Sequence, residues 1–449
     1  MQSIRGMHDI LPEEMKYWQY IYDKVFHTLD SANYQEIRTP IVESKSLFER
    51  SIGQDTDIIN KEMYTLMDQG NRELTLRPEG TAGLARAIIQ HKLCENSTMQ
   101  KLWYLGPMFR YERPQKGRQR QFHQLGLECY GNNHPAIDAE VISLANNILA
   151  DLGCNKLSIE INSIGSNHER AIYEQKLKEY LIKYINDLDN EYGQKIIRNP
   201  LRILDSKNPQ IHKIVENAPR ITNYLDIESK NHFEEVQEYL SILDVPFNLN
   251  HNLVRGLDYY NNTVFEIKTQ LLGSQDTVCG GGRYNNLTQQ LGGQQIDAIG
   301  WGIGLERLLI LMQKNIILDK QVNCIYIATP NLVHVEYSLR ILKLIKPHHL
   351  KYELDVSGSS LKKQLQKANR KNTMILIIVG EEEVRQQTVT IKWLNLHLQQ
   401  TCSLTSFSSL IPKITLEYQN LLKHNQKYSA KQYPLVDISQ KSSDNGAVE

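Results

Sequence analysis

Apolar and polar positions alternate along this chain with two different periods, and the changes of period divide it. Residues 12–28 carry apolar side chains at helical spacing behind Pro12, Glu13 and Glu14. Proline suits a first helical turn and acids favour its positive dipole end, so a helix is predicted there. Short period-two segments follow. Residues 34–42 (YQEIRTPIV), 73–76, 101–109 and 122–130 read as strands. A basic loop, 110–121, joins the last two, which are therefore expected to pair antiparallel. From about 166 to 243 the strand pattern gives way to charged helical stretches, 169–187 and 232–243, which read as a helical insertion. Strands return at 263–269 and 298–303, and the helical run LERLLILMQK (305–314) follows.

Beyond 322 the texture changes again. An apolar strand at 324–329, a helix at 333–345, an extended segment at 352–356, a helix at 361–370 and a buried strand at 374–379 succeed one another. That β-α-β-α-β order predicts a small doubly wound α/β domain with parallel strands. Residues 426–449 are polar and aperiodic and are expected to be disordered.

Composition narrows the function classes. With 449 residues, 41% of them hydrophobic, the chain has room for two or three domains. Lys plus Arg and Asp plus Glu are both 51, so a whole-chain basic field is absent and any nucleic-acid contact must come from local patches. The six cysteines lie far apart without a CxxC pair, which argues against a zinc ribbon or a disulfide framework. The N-terminus turns acidic before an apolar run develops, and 374–379 is far too short for a span of about 20 residues. A soluble cytoplasmic protein without membrane contact is expected, and no residue is singled out as a metal ligand.

Five segments hold candidate chemistry. In LVRGLDYYNNTVFEI (253–267), Arg255 offers a planar fork for a carboxylate or phosphate, and Tyr259 and Tyr260 can donate and accept. A surface turn capped by an ion pair is the bland alternative. In LRPEGT (76–81), Glu79 and Thr81 could hold an ammonium group or simply cap a helix. In FRYERPQKGRQRQFHQLGLECYG (109–131), Arg110, Arg113, Lys116, Arg118 and Arg120 crowd one loop and suit polyphosphate or a nucleic-acid end, while Gln124 and Glu128 share a strand face. The alternative is a solvated hairpin. The glycine run of VCGGGRYNNL (278–287) allows close backbone approach or a plain tight turn. Finally, Arg307 opens the apolar helix of AIGWGIGLERLLIL (298–311), where a phosphate or carboxylate ligand competes with an ion pair to Glu306 or another acid.

In this order the segments resemble those of class II aminoacyl-tRNA synthetases. Phe109–Glu112 resembles the Phe-Arg-x-Glu core of motif 2, GLER (304–307) resembles motif 3, and 34–43 with Pro40 resembles motif 1. LVRGLDYY and GGGRY are similar to the two signature peptides of histidyl-tRNA synthetases. The resemblance implies an α+β catalytic domain over 1–322 on a mainly antiparallel sheet flanked by helices, with the insertion at 166–243. It also implies an anticodon-binding domain over 323–425, followed by the tail 426–449, and a homodimer built through motif 1.

It further implies a histidine–tRNA ligase using L-histidine, ATP with Mg²⁺, and tRNA(His). Glu79 and Thr81 would hold the α-amino group, with Gly80 beside them in the histidine site. Gln124, Glu128, Tyr259 and Tyr260 would line the histidine site. Arg110 would grip the α-phosphate, Glu112 the adenine amino group and Arg307 the γ-phosphate, with Phe122 stacked on the adenine. Arg255, with Arg110 the catalytic pair, would sit between the histidine carboxylate and the α-phosphate. Arg113, Gln115, Arg118 and Arg120 would approach the tRNA acceptor end; for the anticodon, Lys362, Lys363, Lys367, Arg370 and Lys371 form a basic helix that is a candidate contact or merely a solvated face. Asp258 is expected to support Arg255 or a tyrosine. A site that hydrogen-bonds both imidazole nitrogens rejects analogues lacking them by about 10⁴-fold, so no editing domain is needed. The competing class is a non-catalytic regulatory subunit of histidine biosynthesis, which predicts erosion of the ATP arginines and loss of the C-terminal domain.

Overall fold

The computed structural model describes residues 1–53, 56–95, 98–206, 208–273, 276–316, 318, 323–394, 396 and 398–429. The chain divides into two compact units, Met1–Ile316 and Ile317–Glu449. The first is built on an eight-stranded sheet. Its strands lie in the order Gln35–Glu36, Gln100–Phe109, Gln121–Tyr130, Ala298–Gly304, Thr277–Arg283, Asn261–Thr269, Leu157–Ser163 and Asn248–Leu249. The inner six pair antiparallel, and the two short edge strands run parallel to their neighbours. This is the mainly antiparallel, helix-flanked sheet that the resemblance implies.

Alternation along Gln121–Tyr130 sorts its side chains. Leu125, Leu127 and Cys129 enter a core with Trp18, Val25, Ile142, Phe233 and Leu308. Helices Pro12–Ser31, Pro135–Asp151, Ile227–Ile242 and Leu305–Asn315 therefore cover that face. Phe122, Gln124, Gly126, Glu128 and Tyr130 point the other way. There Tyr104, Tyr130, Tyr260 and Tyr284 meet Leu84 and Ala85 of helix Thr81–His91 and Tyr173, Leu177 and Ile203 of the insertion. Burying one large aliphatic side chain contributes about 1.5–3 kcal/mol. A one-residue slip would take Leu125, Leu127 and Cys129 out of this core and drive Gln124 and Glu128 into it, so packing fixes the register.

The segment expected as a single strand over 34–42 is broken. Gln35–Glu36 joins the large sheet, whereas Val42–Ser44 joins Glu73–Leu76 and Thr65–Met67 in a separate three-stranded sheet. Pro40 has no N–H for a ladder, and Arg77 spans the gap by donating to the Thr39 carbonyl at 2.9 Å. In the insertion, the helix read over 169–187 is Asn167–Leu181 followed by a 3₁₀ segment, Ile182–Asp187. Its last helix, Ile227–Ile242, packs with the core helices through Phe233, Val236 and Leu240.

The second unit holds a five-stranded sheet in the order Tyr352–Asp355, Asn323–Ala328, Thr373–Ile378, Thr388–Trp393 and Leu398–Ser403. The first three are parallel, as the doubly wound pattern predicts. The last two pair antiparallel: Thr388–Trp393 alternates and buries Val389 and Ile391, whereas Leu398–Ser403 is an almost wholly exposed edge with no apolar pattern to read. Helix Leu404–Ser429 follows, so residues 426–429 are helical and not disordered. Residues 430–449, the rest of the tail expected to be disordered, lie outside the described residues. Among the described residues no helix is long and apolar enough to cross a membrane.

Candidate active site

The glycine run is not a turn. Gly280, Gly281 and Gly282 occupy the middle of strand Thr277–Arg283, paired on both sides. A Cβ on Gly280 would collide with both terminal nitrogens of Arg255. On the adjoining strand, a Cβ on Gly302 would strike the Gln124 amide, and one on Gly300 the Glu128 carboxylate. The bare backbone of two neighbouring strands thus makes room for three polar side chains to lie flat on the sheet.

Above this floor is a cavity of about 260 Å³. Its wall includes Glu79, Thr81, Gln124, Arg255, Tyr259 and Tyr260 on one part, and Arg110, Glu112, Arg118, Phe122 and Arg307 on another. Every residue assigned to histidine or ATP lines it except Gly80 and Glu128. Gly80 precedes helix Thr81–His91 and packs against Tyr104, whose ring a Cβ would strike. The capping alternative for 76–81 describes Glu79 well, since its carboxylate accepts from the Thr81 and Ala82 amides at 2.7 and 2.8 Å. Each oxygen keeps a further lone pair for a ligand.

Glu128 stands one layer behind the wall. Thr81 Oγ1 donates to one oxygen at 2.7 Å, and the Tyr284 hydroxyl donates to the other. Burial pushes the carboxyl up to about 8 against the pull of those two hydroxyls. Tyr284 is therefore a site residue that sequence reasoning missed, although it ends the GGGRY peptide. Glu266 is another. It stands on strand Asn261–Thr269 and ion-pairs with Arg255. Burial alone would lower the Arg255 pKa, and the Glu266 carboxylate together with Tyr260, Tyr259 and Cys279 outweighs it, so the net shift is upward. Alternation from Val264 to Ile267 held the signal for Glu266, since a lone acid among apolar strand residues needs a cationic partner.

The remaining arginines are held by carbonyls and a ring. Arg110 Nε donates to the Pro78 carbonyl at 2.9 Å, and its guanidinium lies 5.2 Å from the Phe122 ring centre. Arg307 donates to the carbonyls of Gly117 at 3.1 Å and Thr277 at 2.8 Å. Burial and then repulsion from Arg118 lower its pKa. Glu306, the acid weighed as its partner, accepts instead from the His123 amide at 2.8 Å. Among the described residues three buried polar atoms of the wall find no hydrogen-bond partner: Gln124 Oε1, Arg255 Nε and Glu112 Oε2, the last of which has only its ion pair with Arg118. Buried polar groups are nearly always paired, so such atoms in a cavity wall call for a ligand. The support of Arg255 or a tyrosine expected of Asp258 is not direct. The Asp258 carboxylate pairs with Arg202 of the insertion at 2.9 Å.

The family model for histidyl-tRNA synthetase matches residues 6–308, and that for an anticodon binding domain matches residues 321–414. The chain belongs to the histidyl-tRNA synthetase family. Similar members include a protein of Pyropia yezoensis named histidine–tRNA ligase, chloroplastic, 50% identical over 88% of this chain and 92% of that one. A histidine–tRNA ligase of Rippkaea orientalis is 47% identical over 95% of this chain and 99% of that one. The crystal structure of apo S. aureus histidyl-tRNA synthetase aligns with a TM-score of 0.77 at 34% identity, covering 92% of this chain and 99% of that one.

Within this member of the family, the residues assigned to the acceptor end separate. Arg118 reaches the cavity, 3.2 Å from Glu112. Arg113 and Gln115 are exposed on the loop. Arg120 is engaged locally, stacked 3.7 Å from the Tyr111 ring centre and donating to the Glu112 carbonyl. In the second unit, Lys367 is bound by Asp355 at 2.9 Å and Lys371 by Glu353 at 2.6 Å, which leaves Lys362, Lys363 and Arg370 as the exposed cations of helix Leu361–Arg370.

Proposed function

We propose that this chain activates L-histidine with ATP, forming histidyl-adenylate and pyrophosphate, and passes the histidyl group to the 3′ end of tRNA(His). The observation that carries the reading is the convergence of Arg110, Arg255 and Arg307 on a cavity whose other wall is Glu79, Gln124 and two tyrosines. Nucleophile and electrophile both belong to the substrates, so the protein's task is positioning and charge stabilisation. The histidine carboxylate attacks the α-phosphorus and pyrophosphate leaves. Arg110 and Arg255 meet the charge that develops there, and Arg307 meets the leaving γ-phosphate. Glu79 and Thr81 receive the ammonium group. Tyr259 and Tyr260 read the imidazole, with Glu128 at the depth of the site accepting its N–H once Thr81 or Tyr284 yields an oxygen. Phe122 underlies the adenine and Glu112 accepts from its amino group.

Mg²⁺ enters with ATP as the substrate complex, held by the phosphates. Arg113, Gln115, Arg118 and Arg120 face the acceptor end, and the second unit binds the anticodon. We take the enzyme to be a homodimer. The cytoplasm is its expected compartment, and the relatives named chloroplastic make the plastid the second one to examine. A regulatory subunit would have no use for an intact trio of phosphate-directed arginines.

The test is histidine-dependent ATP–pyrophosphate exchange, followed by charging of a tRNA(His) transcript. Exchange that requires histidine is expected. Folded protein that shows none, or that exchanges equally with another amino acid, overturns the reading.

A further inference from the structure

The loop 251–260 carries Arg255, Tyr259 and Tyr260 into the cavity; Leu253, Tyr259 and Tyr260 are buried and Arg255 pairs with Glu266, while much of its backbone is held by groups outside the loop. Asn162, buried on strand Leu157–Ser163, donates from Nδ2 to the carbonyls of Leu253 at 3.0 Å and His251 at 3.3 Å. Beyond that point the helical insertion supplies the anchors on one flank of the backbone. Arg202 Nη2 donates to the Gly256 carbonyl at 2.9 Å and to Asp258 Oδ1 at 2.9 Å. Arg170 Nη1 donates to the Tyr260 carbonyl at 2.6 Å and to the Asp258 carbonyl at 3.3 Å. On the other flank the Asp258 amide donates to the Ile52 carbonyl at 3.1 Å. Gly53 lies so close that a Cβ there would strike the Asp258 carboxylate.

A half-exposed ion pair such as Arg202–Asp258 is usually worth little. Two features set this one apart. The arginines reach the main-chain carbonyls of residues 256, 258 and 260, so they restrain the backbone itself. They also come from two different helices, Asn167–Leu181 and Leu201–Leu204, each fixed by buried neighbours such as Tyr173, Leu177 and Ile203.

We infer that Arg170 and Arg202 are positioning residues for the histidine end of the site, and that the helical insertion sets the course of 256–260 and thereby the placement of Tyr259 and Tyr260. Neither arginine lines the cavity. The inference rests on the proposed function, and the insertion then controls the affinity for the amino acid more than for ATP.

The experiment compares exchange kinetics of the full-length wild type, Arg202→Ala and Arg202→Lys, with amide hydrogen exchange over 251–260. For Arg202→Ala the KM for histidine rises about tenfold, equivalent to about 1.4 kcal/mol, while the KM for ATP changes less than twofold and amide exchange in the loop accelerates. Both Arg202 contacts come from one nitrogen, so Arg202→Lys recovers most of the loss. An unchanged KM for histidine, an equal rise in both KM values, or a lysine variant no better than alanine overturns the inference. If Arg202→Ala does not fold, Asp258→Asn replaces it, with the same selective rise expected at about threefold and an equal effect on both substrates counting against the idea. Wild type without histidine-dependent exchange instead overturns the functional reading, and the amide-exchange comparison then decides the positioning claim by itself.

Discussion

Burial holds the Glu128 carboxyl at about 8, even though two hydroxyls donate to it. The consequence for stability has a definite sign. In the unfolded chain a glutamate titrates near its ordinary value, about 4.3. Between that value and about 8 the folded state therefore keeps a proton that the unfolded state has lost. Stability from this group is fully present below the unfolded pKa and declines as pH rises through the window, by at most about 1.4 kcal/mol per pH unit. Glu128→Gln keeps the shape and removes the titration. The wild type is expected to lose stability between pH 5 and 8 relative to this variant, as read from denaturant unfolding at each pH. Parallel profiles for the two proteins would show that Glu128 is already ionised in the folded state.

At the scale of elements, the decisive device is a glycine strand lying under an arginine. Gly280→Ala places a methyl group against both terminal nitrogens of Arg255. Overpacking of this kind costs about 1–3 kcal/mol. Here the side chain can swing into the cavity, so the loss falls on catalysis more than on the fold. Exchange kcat is expected to drop about tenfold or more, on the scale where 1.36 kcal/mol is one factor of ten, while the melting temperature moves by only a few degrees. A variant with normal kcat would mean that Arg255 does not need its seat on this strand. The same strand shows where sequence reading stopped. Three consecutive glycines have no side chains to alternate, so nothing in 280–282 distinguishes sheet interior from tight turn. Gln121–Tyr130 was legible because Leu125, Leu127 and Cys129 alternate with Gln124 and Glu128. The motifs brought nearly all the proposed ligand contacts to one cavity. The direct partner of Asp258 is illegible in the sequence because Arg202 is 56 residues away, on an insertion with no motif of its own.

Across the whole molecule, the three-stranded sheet has an apolar face that one copy of the chain does not cover. Its register pairs Val42 with Leu76 and Leu66 with Leu74, and side chains two apart share a face, so these four stand together. Val42 and Leu66 remain 42% and 39% exposed. Scattered apolar exposure is ordinary, whereas apolar side chains gathered on one face suit an interface. The occupant consistent with the motif 1 resemblance of 34–43 is a second copy of this chain. The sheet also leads directly into helix Lys45–Ile52, whose final carbonyl accepts from Asp258 in the histidine loop. Dimer formation would then brace that loop from the flank opposite the insertion. Val42→Lys places a charge in this face and is expected to halve the mass measured by light scattering, with histidine-dependent exchange falling alongside it. A dimer that survives the substitution would put the interface elsewhere. A fully active monomer would sever the link between assembly and the loop.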